Sequence, residues 1–257
     1  MSWNEFIYFA SAALILWFSG VAALYLFKKR YFSHILISAG MVVFASFIAL
    51  LWIWLKHPPL RTMGETRLWY SFFLVIVGYL TYLRWRYKWL VAYSTMVSAV
   101  FILINLLKPE IHTANLMPAL QSPWFVPHVT VYILAYAMMG AATIAALITL
   151  YGSPSDSEKL MDMIDNLIYI GLAFLIAGIL MGALWAKAAW GDYWSWDIKE
   201  TWALITVCAY LLYIHSRRGG YNRKITLWII PIGFVLLMTT WLGVSYLPAA
   251  QGSIHVY

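Results

Sequence analysis

The chain has 257 residues, 63% of them hydrophobic and only 11% charged, with a formal net charge of +7. Soluble domains carry roughly 25% charged residues, so this composition excludes an ordinary soluble enzyme and points to a single polytopic membrane domain. The one cysteine, Cys208, excludes a disulfide framework and a CxxC thiol relay. In a membrane chain the positions of the basic residues say more than their sum, so the positive balance does not indicate nucleic acid.

A spanning helix needs about 20 mainly apolar residues. The hydropathy pattern predicts eight of them, at about 6–27, 33–55, 67–83, 89–107, 128–150, 165–185, 200–216 and 225–247. The fold class expected is therefore all-α, a polytopic helix bundle, with the third and seventh spans short. The first is longer than the apolar region of a signal peptide, and its basic cluster, Lys28, Lys29 and Arg30, follows it. It reads as an anchor with its N-terminus outside. Further basic clusters follow spans 3 (Arg84, Arg86, Lys88) and 7 (Arg217, Arg218, Arg223, Lys224), with Lys159 after span 5. Cytoplasmic loops carry the excess of Lys and Arg, so these loops are assigned to the cytoplasm and both termini to the outside.

Between spans 6 and 7 stands WGDYWSWDIKETW, residues 190–202, with Trp190, Trp194, Trp196 and Trp202 among Asp192, Asp197, Lys199 and Glu200. Isolated tryptophans at a membrane surface anchor in the lipid headgroups. Four in one short outer loop exceed what a belt needs, and their broad rings suit a flat ligand. Asp197 and Glu200 have capping-box spacing, Asp197 accepting from the first helical turn while Glu200 reaches back. That structural role is at least as well founded as a chemical one.

Six histidines sort by side. His128 at the start of span 5, His255 in the tail, and His57 and His112 in loops lie outside. His34 and His215 lie at the cytoplasmic side. Glu200 and His215 are separated by roughly 22 Å of helix at 1.5 Å per residue, too far for one small ligand to touch both. His128 and His255 share the side of the aromatic loop. Neutral imidazoles ligate metals, and two of them about an iron porphyrin, with tryptophans on the ring, would use each odd feature of this loop. A lone interfacial histidine is otherwise an ordinary hydrogen-bonded surface residue.

The motif resembles the WWD signature of the haem-handling proteins, and WGDYWSWDIKETWALIT is similar to the CcsA/ResC-type cytochrome c biogenesis family. The Lys199 to Trp202 run separates it from the CcmC and CcmF branches. SPWFVPHV (122–129), YIHSR (213–217), GVSYLPAAQGSIHVY (243–257) and PLRTMGETRLWYSF (59–72) resemble further family segments. Ile198 stands where the family often has proline.

The resemblance implies haem b as ligand and substrate. His128 and His255 would ligate iron at an outer site and His215 at an inner one. Trp190, Trp194, Trp196, Asp197 and Trp202 would face the ring. It also implies a CcsB/ResB-type membrane subunit as partner and an apocytochrome c with CxxCH as substrate. The activity expected is that of a holocytochrome c synthase (haem lyase) subunit in a bacterial cytoplasmic membrane, with no conventional catalytic residue in this chain. The competing readings are a haem exporter or chaperone without synthetase activity, a haem b electron-transfer subunit, and a plain structural subunit. The second of these expects bis-histidine pairs in mid-helix, which the sequence lacks.

Overall fold

The computed structural model describes residues 2–27, 30–112, 122–152 and 157–247. The chain forms two compact units, Met1–Leu120 and Gln121–Tyr257. Both are helical, and no strand occurs among the described residues.

The first unit opens with a 3-10 turn, Trp3–Glu5, followed by α1 (Phe6–Leu26), α2 (Tyr31–Leu55), α3 (Met63–Trp85), α4 (Trp89–Leu107) and a 3-10 turn, Pro109–His112. In lipid, apolar contact alone does not drive helices together, so close approach at small residues and interhelical hydrogen bonds hold them. At Gly40 of α2 an added Cβ would lie 2.6 Å from the Trp17 indole of α1. Ser33 Oγ donates to Gly20 O at 2.7 Å between the same helices. Between α3 and α4, Ser98 Oγ donates to Ser71 O at 2.9 Å and Asn105 Nδ2 to Gly64 O at 3.1 Å.

The third span is not short. Met63 to Trp85 is 23 residues, because the Thr62 and Glu65 capping box starts the helix four residues before the apolar run at 67. The Thr-x-x-Glu spacing was present in the sequence as a start signal. Glu65 is buried, and its carboxylate accepts from Arg61 N at 2.6 Å and Thr62 N at 3.0 Å.

The second unit contains α5 (Phe125–Tyr151), α6 (Ser157–Trp190), α7 (Ile198–Arg218) and α8 (Arg223–Met238), which continues through a π turn, Thr239–Gly243, into a 3-10 turn, Val244–Tyr246. The α5–α6 pairing is the most extensive. The buried face of α5 is a run of small residues, including Ala135, Gly140, Ala142 and Ala146, which lets the backbones approach. α6 has 34 residues, roughly 50 Å of helix against a hydrocarbon core of about 30 Å.

Two sequence expectations change here. Trp190 is the last residue of α6, so the loop expected at about 186–200 is confined to 191–197. Among the described residues there are eight long helices; seven are long and apolar enough to cross a membrane, and α7 is not among them. Its ends carry Lys199, Glu200, Arg217 and Arg218, and Thr201, Thr206, Tyr210, Tyr213 and His215 interrupt the apolar run between.

Candidate functional site

The aromatic loop is held at both ends. Where it leaves α6, Lys187 Nζ donates to Gly191 O at 2.5 Å and lies 5.4 Å from the centre of the Tyr193 ring. Where it enters α7, Asp197 is the N-cap, accepting from Lys199 N at 3.0 Å. Glu200 closes the box by accepting from Asp197 N at 3.1 Å. The same Glu200 oxygen reaches further back and accepts from Ser195 N at 2.8 Å. Glu200 therefore bonds the residue on each side of Trp196.

Trp196 needs that bracket. Its φ is 58°, in the left-handed region, where a Cβ crowds the following carbonyl. Thr201 Oγ1 adds a bond to Trp196 O at 3.3 Å. The indole so presented is 68% exposed and meets Trp194 edge-on, with ring centroids 5.8 Å apart at 89°. Trp202 is half-buried on the first turns of α7, and its carbonyl accepts from Thr206 Oγ1 at 2.8 Å.

His128 sits on the first turn of α5, half-buried. Its Nδ1 is 2.8 Å from Gly178 O on α6. A carbonyl can only accept, so Nδ1 carries a proton, and in the neutral ring Nε2 then carries the lone pair. A metal-ligating histidine is oriented in this way, by donating from its other nitrogen. The ring lies against Tyr132 at 4.7 Å and Trp185 at 5.6 Å. Trp185, only 2% exposed, in turn packs on Trp190 at 4.9 Å. His128, Trp185 and Trp190 thus form one contiguous row of rings.

Space for this imidazole comes from a missing side chain. A Cβ at Gly182 would lie 2.7 Å from His128 Cε1 and 2.9 Å from Nδ1. Gly178 and Gly182 are spaced as GxxxG, the close-approach motif of membrane helices. These two glycines and Trp185 were absent from the sequence-predicted site. The GxxxG spacing was the available signal for the glycines; nothing local marked Trp185.

His215 lies near the end of α7 and is exposed. α7 is unbroken from Glu200 to His215, so the separation of roughly 22 Å along the helix stands. The structure does not gather His215 with the aromatic loop. His255 lies outside the described residues, so the predicted outer pair with His128 is described only on the His128 side. The remaining described histidines have partners of their own. His34 Nδ1 is 2.8 Å from Tyr79 Oη, His57 Nδ1 is 3.0 Å from Pro58 O, and His112 stacks on Trp3 at 3.7 Å and 6°. Among the described residues no group of three or more His, Cys, Asp or Glu could hold a metal ion.

Chemically, the aromatic-loop end of this unit offers an oriented imidazole and a surface of indole faces, suited to a flat, metal-bearing ligand. The family model described as cytochrome C assembly protein matches residues 6–250. A cytochrome c biogenesis protein CcsA from Mesostigma viride is 31% identical over 261 residues, covering 84% of each chain. The protein of that name from Prochlorococcus marinus is 29% identical over 258 residues, 83% of this chain and 81% of the relative. The one from Chlamydomonas reinhardtii reaches 36% identity over 168 residues, 61% of this chain and 47% of its own length.

Proposed function

Since the chain belongs to the cytochrome c assembly protein family, is of CcsA type and takes part in cytochrome c biogenesis, we propose that it is the haem-translocating and haem-presenting subunit of a cytochrome c synthetase. Haem b is its cargo and an apocytochrome with CxxCH its second substrate. A CcsB/ResB-type membrane subunit completes the complex.

The observation that carries this reading is the row from His128 through Trp185 to Trp190. His128 Nδ1 donates to Gly178 O, the kind of bond by which a metal-ligating histidine is oriented. Gly182 leaves room for the ring. Trp190, Trp194 and Trp196 supply apolar surface for the macrocycle, while Asp197 and Glu200 fix the direction in which that surface is offered. His255 is the second axial ligand in this reading, and His215 serves an inner station at the other end of α7.

The chemistry asks little of the protein beyond position. Each apocytochrome thiol adds across a haem vinyl group. A C–S bond forms at one vinyl carbon, the thiol proton passes to the other, and nothing leaves. Holding the vinyl groups in register with the thiols is where a binding protein gains rate. Axial ligation also tunes the iron's potential.

The test is purification of the protein with its partner subunit and comparison of haem content and optical spectra for His128→Ala, His255→Ala and His215→Ala. Loss of the outer signal in the first two and of the inner signal in the third is expected. Unchanged content and spectra in all three would overturn the ligand set. Co-expression with an apocytochrome then tests synthesis. Bound haem without any thioether product would point instead to an exporter.

A further inference from the structure

The inner histidine stands on a helix whose rotation is set from behind by one carboxylate. Asp165 lies on α6, and its two oxygens take two different donors from α7. Tyr213 Oη donates to Oδ1 at 2.6 Å, and Arg217 Nε donates to Oδ2 at 3.2 Å. Tyr213 and Arg217 are four residues apart, on one face of α7. His215 is two residues from each, roughly 160° around the helix axis at 3.6 residues per turn. The carboxylate grips the back of the turn that presents His215 from its front.

We propose that Asp165 is the positioning residue for His215, fixing the direction in which the imidazole leaves α7; this rests on the reading of His215 as the inner haem station. Three features favour a positioning role over a merely cohesive one. The Tyr213 side chain is 1% exposed, so its hydroxyl is tied to Asp165 away from bulk water. The two bonds come from successive turns, so a slip of α7 by one residue, a turn of about 100°, breaks both together. A second tie lies beside them: Arg218 stands 5.7 Å from the centre of the Tyr169 ring, one α6 turn beyond Asp165.

The side chains of Arg217 and Asp165 are 41% and 18% exposed. Arg217 also lines a cavity of about 310 Å³ with Glu158, Asp162 and Tyr221. The pair is partly hydrated, so its contribution to stability is modest. Setting register is the better-attested use of a charged pair among packed helices.

The test uses the full chain in lipid nanodiscs, carrying Cys208→Ser and His215→Cys. The rate at which a water-soluble maleimide labels the thiol at position 215 reports where that side chain points. Asp165→Asn is expected to change this rate at least threefold at unchanged thermal midpoint, with smaller changes for Tyr213→Phe and Arg217→Gln. Should Asp165→Asn not fold, the Tyr213→Phe, Arg217→Gln pair decides. Unchanged labelling would overturn the proposal.

A second arm keeps His215 and follows haem in the complex with the partner subunit. Asp165→Asn should lower haem at the inner station severalfold, with added imidazole restoring it, and leave the outer spectrum intact. Loss in His215→Ala without any loss in Asp165→Asn would also overturn the proposal. Full haem retention in His215→Ala strikes the inner-station reading itself, whereas failure confined to the Asp165 variants strikes only this inference.

Discussion

Trp196 holds a backbone conformation that costs a non-glycine residue about 1–2 kcal/mol, and the Glu200 carboxylate bonds both its neighbours. Strain of this kind persists only where the surroundings over-determine it. Glu200→Ala is therefore expected to remove about 1 kcal/mol of cap stability and to lower haem yield further, as the loop relaxes and Trp196 turns away. Thermal denaturation alongside haem quantitation separates the two effects. Asp197 permits a sharper test. Asn caps as well as Asp, so Asp197→Asn should preserve both stability and haem binding if the carboxylate only caps, while Asp197→Ala should cost about 1 kcal/mol. A haem defect in the Asn variant would assign Asp197 a direct contact with the ligand. At Gly182, the 2.7 Å clash of an added Cβ with His128 predicts that Gly182→Ala mimics His128→Ala in the haem spectrum, at a stability cost of about 1–3 kcal/mol for overpacking. The capping box at 197–200 was legible because its bonds are local. The role of Gly182 was not, because His128 is 54 positions away in the chain.

At the scale of elements, the helices were largely readable and their ends were not. The apolar runs located the long helices, and seven of these meet the physical requirement for spanning, a run of about 20 apolar residues. The boundaries moved: the Thr62 and Glu65 cap lengthened α3, and α6 ran on to Trp190. α7 is the exception to simple hydropathy. Its polar residues make bonds a lone helix in lipid would lack, such as Tyr213 to Asp165 of α6 and Thr206 Oγ1 to Thr240 Oγ1 at 3.4 Å beyond α8. A glycosylation-reporter assay should find α7 poorly inserted alone and well inserted when expressed with α6 and α8. Efficient insertion of the isolated segment would contradict this account.

At the scale of the whole molecule, pH acts on the first unit at the end that carries His112. His112 lies outside the spanning helices, stacked on Trp3 and against Gly64. Burial holds its pKa below the usual 6.5, outweighing the opposing effects of the Asn105 carbonyl and Glu110. The folded state therefore takes up this proton less readily than the unfolded one. Stability is full above about pH 6.5 and falls as pH drops through the folded value. The thermal midpoint should decline below pH 6.5, and His112→Phe should flatten that slope; an identical slope in the variant would rule His112 out. The sequence alone determined the membrane class, the helical fold, the cap of α7 and the family, because hydropathy, capping and motif spacing act over one or a few turns. Tertiary structure decided which nitrogen of His128 is held by a backbone carbonyl, which tryptophan joins it to the loop, and what lies behind His215. Those outcomes depend on bonds from His128 to Gly178 and from Tyr213 to Asp165, between residues 50 and 48 apart in the chain. No local pattern sets such pairings; the packing of one helix on another does.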